Sequence, residues 1–360
     1  MVLRRIGVMT AVLGISTVLL TGCGLFGPEE ETRTSIDPPP LTEDGGVEID
    51  ASDAIDSGIT DPDASGTDDQ ETSQTINRTV YLLDANDYVV PVTLPLPQTD
   101  GPAKQVLSYM VKGGPVEELL PQGFAAILPE GTNVLGANIL EGTVTVDFSP
   151  EFTKYAPEQE EEILHAITRA LTQFDSIENV EIWVNGTPLS EMPVNKTPIT
   201  ALNQSTGINL ELAEGATPGR TSAVTVYFQG QLDQERTYYV PVTRLIPETD
   251  DVARAVVEEL IRGPKEGSPL FSSLLGTTEV ISVEKQDETV VVNLSDDVLK
   301  YNNGKEANPE AMQSLVLSLT ENTGANKVQV MVEGKPLTTA GSYDFSKPVV
   351  RPMEINSFAF

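Results

Sequence analysis

The stretch that decides the fold is Tyr88-Val89-Val90-Pro91-Val92-Thr93, which returns with one change as Tyr238-Tyr239-Val240-Pro241-Val242-Thr243. β-Branched and aromatic residues dominate both copies, which is typical of a β-strand. Each copy also has a proline at the same position, and proline cannot donate a hydrogen bond to a neighbouring strand. The sequence therefore predicts two equivalent strands, each lying at a sheet edge or containing a bulge.

Four further motifs occur twice in the same order, and all five pairs lie between 146 and 150 residues apart. Solenoid repeats have periods of roughly 20–50 residues, so this much longer period indicates a duplicated domain. The additional pairs are Val80-Tyr81 with Val226-Tyr227, Gly114-Pro115 with Gly263-Pro264, Val144–Ser149 with Val290–Ser295, and Val180–Gly186 with Val328–Gly334.

Each copy begins with two strands and a helix. In the first copy, a strand at 80–83 precedes the strand at 88–94, and Asp100-Gly101-Pro102 supplies a cap and a first-turn proline for the helix. Apolar residues from Val106 to Val111 form one helix face, and Gly113 is predicted to end the helix. The second copy has strands at 223–229 and 237–244 and a helix from Thr249-Asp250 to Gly263.

A hairpin, a longer helix and a last strand complete each copy. Strands at 134–140 and 143–148 flank Glu141-Gly142, a helix follows Pro157, and a strand at 180–184 ends the copy. The counterparts are strands at 280–285 and 289–294, a helix from Pro309, and a strand at 328–332. These patterns predict an α+β fold of two homologous β-β-α-β-β-α-β domains, each a mixed or antiparallel sheet with helices packed on one face.

The amino end has the pattern of a lipoprotein signal peptide. Arg4 and Arg5 precede an apolar run from Ile6 to Leu20, which is shorter than the roughly 20 residues of a transmembrane helix. Leu20-Thr21-Gly22-Cys23 follows and resembles the bacterial lipobox, and Cys23 is the only cysteine. We expect residues 1–22 to be removed and Cys23 to be the lipid attachment site; an ordinary secretory signal with a chance cysteine is the alternative.

Residues 23–76 are predicted to form the lipidated cysteine and a disordered acidic tether. Between residues 24 and 76 there are fifteen acidic residues and one basic residue, Arg33, and apolar residues are few. Such a segment buries too little surface to offset the entropy of ordering. A calcium loop around Asp61-Pro62-Asp63 and Asp68-Asp69 is the alternative, but the spacing does not follow the twelve-residue loop.

The rest of the chain divides into a first domain at 77–195, a linker at 196–221, a second domain at 222–352 and a tail at 353–360. The linker contains Ile208, Leu210 and Leu212. Because these residues are apolar, the linker either packs as an extra strand or swings freely, and the sequence leaves both possibilities open.

The Cys23 motif, the acidic spacer and the duplicated Tyr-x-Val-Pro-Val-Thr unit together resemble the GerM family, which comprises sporulation and spore germination lipoproteins with two tandem GerMN domains. The resemblance covers nearly the whole chain, and its motifs consist of structural residues that are specific for fold rather than chemistry. It implies a part in assembling the multiprotein complex between mother cell and forespore.

Histidine and cysteine each occur once, and none of the 54 acidic residues is singled out by a motif. His165 is the only histidine, and it is interpreted as a solvated or half-buried helix residue rather than a catalytic base. Trp183 is interpreted as a core or half-buried sheet residue. The acidic pairs Glu117-Glu118, Glu158–Glu162 and Glu258-Glu259 resemble solvated helix faces. We therefore predict no catalytic, cofactor-binding or metal-binding residue, no cofactor, and a protein that is not an enzyme.

The leading hypothesis is a scaffold, anchored by its lipid on the outer face of the cell membrane, that presents sheet edges or loops to protein partners. Its expected partners are proteins of the mother cell–forespore complex and peptidoglycan; the net charge of −32 disfavours nucleic acid. Pro91 and Pro241 are hypothesised to guard exposed edges against self-association. The alternatives are a lipoprotein that binds cell-wall glycan or a solute, and a hydrolase using paired carboxylates.

Overall fold

A computed structural model describes residues 74–200, 202–233, 236–301, 306–341 and 343–358. The predicted signal peptide, the lipid site at Cys23 and nearly all of the predicted tether lie outside the described residues. Within the described ranges, no helix is long and apolar enough to cross a membrane.

The first repeat contains two α-helices and seven strands. Its helices are α1 (Pro102–Ser108) and α2 (Glu160–Thr172), with short 3₁₀ turns at Pro115–Glu118, Pro150–Thr153 and Pro157–Gln159. Its strands are β1 (Thr75–Asp84), β2 (Val89–Pro97), β3 (Phe124–Ala125), β4 (Val134–Leu140), β5 (Thr143–Phe148), β6 (Asn179–Val184) and β7 (Thr187–Pro188).

The second repeat has the same order of main elements. After a 3₁₀ turn at Gln204–Thr206 and strand β8 (Glu211–Leu212), its helices are α3 (Val252–Arg262) and α4 (Pro309–Thr323), with a 3₁₀ turn at Asp296–Leu299. Its strands are β9 (Thr221–Gln231), β10 (Thr237–Pro247), β11 (Val280–Gln286), β12 (Thr289–Leu294), β13 (Lys327–Val332), β14 (Lys335–Pro336), β15 (Thr339–Ala340), β16 (Tyr343–Asp344) and β17 (Val349–Val350).

The main strands of each repeat divide between two sheets, and β15 and β16 of the second repeat form a separate two-stranded sheet. In the first repeat, β2-β1-β3 is antiparallel, and β4-β5-β6-β7 is mixed because β5 and β6 run parallel. In the second repeat, β8-β10-β9 and β11-β12-β13-β14 are the corresponding sheets, and β17 also pairs with β13. The predicted α+β class and the two homologous repeats are confirmed.

The long helices supply the centre of each core. Ile163, Ile167 and Leu171 of α2 are fully buried, as are Leu315 and Leu319 of α4. Each such side chain contributes roughly 1.5–3 kcal/mol through its removal from water. The predicted start of the long helix at a proline is observed for α4, which begins at Pro309 after an Asn308 cap. In the first repeat, a 3₁₀ turn that begins at Pro157 precedes α2.

Helix α1 is shorter than its sequence pattern predicts. It ends at Ser108 rather than near Gly113, although Met110 and Val111 continue the apolar pattern. The carbonyl of Met110 instead accepts hydrogen bonds from the backbone N–H groups of Ile127 and Leu128, and Val111 forms a parallel bridge with Leu128. Tertiary pairing therefore replaces the last turn of this helix.

The segment predicted as a linker packs against the fold. Leu202 forms an antiparallel bridge with Val180 of the first repeat, and β8 pairs in parallel with β10. The segment after the second repeat behaves in the same way, since Val349 pairs with Val328, the counterpart of Val180. Of the two possibilities left open by the sequence, the extra strand is the one observed.

Candidate interaction site between the two repeats

The two proline-containing strands, β2 and β10, pack against one another. Strand β2 is the outer strand of its sheet, as predicted, and β8 covers only Arg244 and Leu245 of β10. Pro91 and Pro241 are nevertheless buried, which corrects the expectation that they guard edges exposed to solvent. The contact between β2 and β10 is called the seam between the repeats. Neither proline has an N–H group, so neither leaves an unpaired donor in the seam.

Asn209, which follows the first repeat, bridges the two strands with its side chain. Its Oδ1 accepts a hydrogen bond from the Val89 N–H at 2.9 Å, and its Nδ2 donates to the Val89 and Pro241 carbonyls, each at 2.8 Å. One side chain therefore satisfies three backbone groups that belong to different repeats. Its φ of +48° is in the left-handed region, where asparagine is tolerated better than most residues.

Asn356, which follows the second repeat, makes the equivalent bonds. Its Oδ1 accepts from the Tyr239 N–H at 2.7 Å, and its Nδ2 donates to the Tyr239 and Pro91 carbonyls, each at 2.8 Å. Its φ is +55°. Asn209 therefore makes two bonds to β2 and one to β10, and Asn356 makes two bonds to β10 and one to β2. This exchange gives the seam a pseudo-two-fold arrangement.

A second pair of contacts extends this symmetry. The backbone N–H of Ile208 donates to Thr243 Oγ1 at 3.0 Å, and that of Ile355 donates to Thr93 Oγ1 at 3.0 Å. The threonine N–H groups donate back to the isoleucine carbonyls at 2.8 and 3.0 Å, respectively. The segment that trails each repeat is therefore held by the second strand of the other repeat.

Aromatic residues close one end of the seam. The Tyr238 hydroxyl donates to Asp84 Oδ2 at 2.7 Å, across the two repeats. The ring of Phe124 packs edge-on against Tyr238 with 5.1 Å between centroids and lies 5.4 Å from Phe358. Burial, followed by the bond to Asp84, raises the pKa of Tyr238, so its hydroxyl keeps the donated proton at neutral pH.

An ion cluster links the long helices at the seam. Arg169 of α2 donates to Glu321 of α4, and Arg351 donates to the same carboxylate at 2.7 Å. Arg351 also donates to the Tyr227 hydroxyl at 3.0 Å. Burial alone would raise the pKa of Glu321, but the two guanidinium groups hold it below its usual value. The carboxylate is therefore ionised and fixed between the repeats.

Two buried carboxylates stabilise the repeats internally. Glu259, predicted on a solvated helix face, is 3% exposed and accepts from Arg244 at 3.0 Å, because Arg244 lies beneath α3 and over the Phe228 ring. Glu160 accepts from the hydroxyls of Tyr155 and Thr197 and from three backbone N–H groups at 194–197. Burial opposes ionisation of Glu160, but these hydrogen bonds outweigh it and lower its pKa to about 2.

The structure does not bring His165 together with other candidate groups. His165 is 6% exposed, which corrects the prediction of a solvated or half-buried residue, because α2 is covered on most of its surface. Burial, and then the charge of Arg169, lower its pKa to about 4. Trp183 is half-buried, as predicted. Among the described residues, no group of histidine, cysteine and acidic side chains is arranged to hold a metal ion.

The fold and the seam define a protein built of two α+β domains that are joined into one unit by their own trailing segments. The model of the Germane family, described as sporulation and spore germination, matches residues 79–190 and 225–338. The chain belongs to this family.

Two known proteins support that assignment over most of the chain. The sequence is 37% identical over 356 residues to spore germination protein GerM of Bacillus subtilis (strain 168), with 96% of each chain covered. The solved tandem GerMN domains of the sporulation protein GerM from Bacillus subtilis match with a TM-score of 0.74 and 39% identity, covering 79% of this chain and 100% of that one. The resemblance proposed from the sequence is thus confirmed.

The seam asparagines are absent from the sequence prediction, although a signal for them exists. Ile208-Asn209 and Ile355-Asn356 lie 147 residues apart, within the offset range of the five motif pairs. Neither dipeptide falls in a predicted strand or helix, so their role was not apparent. Arg169 and Glu321 occupy equivalent positions in the two long helices. Their charges are opposite, so a comparison of the two repeats does not reveal the equivalence.

Proposed function

We propose that this chain is a non-enzymatic lipoprotein that acts in sporulation or spore germination as a scaffold for an extracytoplasmic protein complex. In this proposal a lipid on Cys23 anchors it to the outer face of the cell membrane. Its partners are proteins of the mother cell–forespore complex and peptidoglycan, and nucleic acid is not a partner. Membership of the Germane family supports a role in sporulation. The lipid anchor, the scaffold role and the partners are our proposals.

The seam is the observation that carries the scaffold proposal. Asn209 and Asn356 satisfy six backbone groups across β2 and β10. Buried polar groups that are satisfied in this way rigidify a structure. Glu321 adds an ionic link, since arginines from both repeats donate to it. A rigid pair of domains keeps its outer surfaces at a fixed separation, which a scaffold requires.

Two equivalent outer edges are candidate surfaces for partners. Strands β4 and β11 each end a sheet, and among the described residues no strand pairs with their outer sides. Both strands have an irregular register at the same place, and the residues there, Leu135 and Ile281, are exposed apolar side chains. An exposed edge with an apolar side chain can receive an extended segment of another protein.

A site-specific photo-cross-linking experiment tests the scaffold proposal. A photoreactive residue is introduced at Leu135 or Ile281 in the full-length chain, expressed from its native promoter in sporulating cells. We expect adducts with proteins of the mother cell–forespore complex, identified by mass spectrometry. The matched control carries the same residue at exposed Glu248. Adducts equally strong at the control position, or none at either edge, would count against a role for these edges.

Membrane attachment needs its own test. Replacement Cys23→Ala should abolish incorporation of labelled palmitate and leave the chain outside the membrane fraction. Retention of both properties would refute lipid anchoring. Recovery with cell-wall glycan instead of protein partners would favour the alternative, a glycan- or solute-binding lipoprotein.

A further inference from the structure

A cleft opens between the two repeats beside the seam. Its volume is about 600 Å³, which lies within the range of roughly 300–1,000 Å³ that is typical of small-ligand pockets. Side chains of both repeats line it, including Tyr81 and Arg169 from the first and Tyr227 and Glu321 from the second. Because the walls belong to different repeats, the cleft exists only when the repeats are docked.

The inner wall of the cleft is cationic in an acidic protein. Arg169 and Arg351 contribute two positive charges, and Glu321 contributes one negative charge. The chain as a whole has a net charge of −32. Asp175 also borders the cleft, but it is exposed, so solvent screens its charge more than those of the buried groups. The four charged side chains of the lining therefore sum to zero, but the buried ones carry one net positive charge.

The two arginines differ in how many of their N–H groups are hydrogen-bonded. Arg351 donates four hydrogen bonds, to the Leu317 carbonyl, the Thr320 and Tyr227 hydroxyls and Glu321. The Arg169 side chain is 9% exposed, and its Nε has no hydrogen-bond partner among the described residues. A buried donor without an acceptor is unfavourable, so the Arg169 Nε–H group is available to donate to an oxygen atom of a bound ligand.

The second wall of the cleft is formed by the segment that trails the second repeat, where apolar residues flank Arg351. Of these, Val350 is 56% exposed and Met353 is 94% exposed. A ligand that fits both walls carries an anionic group at one end and an apolar body next to it. A peptide chain end with an apolar last residue has this chemistry.

We propose that the cleft between the repeats binds the free carboxylate end of a peptide, with Arg169 as the anion-binding residue and Val350 and Met353 contacting the last side chain. Tyr81 lines the same wall, and because burial raises its pKa, its hydroxyl keeps a proton to donate. Glu321 does not compete, since both of its oxygens already accept hydrogen bonds from arginine. This site is independent of the proposed scaffold role.

Titration of the full-length chain in detergent with acetyl-Ala-Leu, as the free acid and as the C-terminal amide, tests the proposal. Calorimetry should show saturable binding of the acid and binding of the amide weaker by about tenfold or more, since a charge-assisted bond is lost. Arg169→Gln should weaken binding of the acid by a similar factor. Arg220→Gln, at an exposed ion pair outside the cleft, should not change it.

A second measurement does not depend on the folding of a variant. In the unmodified chain labelled with ¹⁵N-arginine, the Arg169 Nε–H resonance should shift saturably with the acid and not with the amide. Equal binding of acid and amide, binding of acetate as tight as that of the peptide, or an unmoved Arg169 resonance would each overturn the proposal. A failure here leaves the cross-linking test of the scaffold role unaffected.

Discussion

The substitution Asn356→Asp tests the seam with almost no change of shape. The Asn356 Nδ2 donates to the Tyr239 and Pro91 carbonyls, each at 2.8 Å. In the variant an ionised oxygen faces these two carbonyls, so both bonds are lost, while the bond from the Tyr239 N–H is retained. Each lost bond is worth about 1 kcal/mol, and the unsatisfied carbonyls add about 1–2 kcal/mol. We expect the free energy of unfolding to fall by about 3–4 kcal/mol.

Urea denaturation of the chain from Gln74 to Phe360 at pH 7 measures this loss. Asn209→Asp should cause a loss of similar size, because its three bonds match those of Asn356 within 0.2 Å. The matched control is Asn138→Asp, the same change at an exposed position of β4, which should alter stability by less than about 0.5 kcal/mol. Losses that are equal at all three positions, or negligible at the two seam positions, would refute the reasoning.

Three further results are expected. Glu160→Gln should lower the free energy of unfolding at pH 7 by about 2–3 kcal/mol. Folding lowers the pKa of Glu160 to about 2. In urea titrations, the difference from the unmodified chain should therefore shrink as the pH falls below the usual glutamate pKa. Arg244→Gln should cost about 2–4 kcal/mol in the same assay, because buried Glu259 loses its buried partner and keeps only Arg262, whose side chain is exposed. Lys154→Gln at an exposed pair should cost less than about 0.5 kcal/mol. Pro241→Val should leave the molar mass in light scattering equal to that of the unmodified chain, but should lower stability by about 1–3 kcal/mol because a new N–H is buried in the seam. An increase in molar mass would restore the edge-guarding hypothesis.

Local patterns in the sequence were sufficient for most of the elements. Strand β5 spans Thr143–Phe148, as its alternation predicts, and the Glu141-Gly142 turn has both residues at positive φ, which suits a two-residue hairpin. These features depend on residues close in sequence. Helix α1 departs from its pattern because pairing of Val111 with Leu128, which is not local, replaces its last turn.

The seam could not be predicted by the same means. The apolar pattern of β2 indicates a strand whose edge needs protection, but it does not say what covers that edge. The answer lies in Ile355, whose backbone bonds to Thr93 join residues 262 positions apart, and in Asn356, whose side chain donates to the Pro91 carbonyl. The buried states of Glu259 and His165 were missed for a related reason, since burial depends on which neighbours the fold supplies.

The separation between Thr93 and Ile355 has a consequence for how a nascent chain matures. These residues are 262 positions apart, so as the chain emerges from its amino end, the outer side of β2 lacks this covering segment until nearly the whole chain is available. During that interval it is an open template for strands of other unfinished chains. Pro91 has no N–H group, so it weakens pairing of β2 with such strands, and this effect applies before the chain has finished folding.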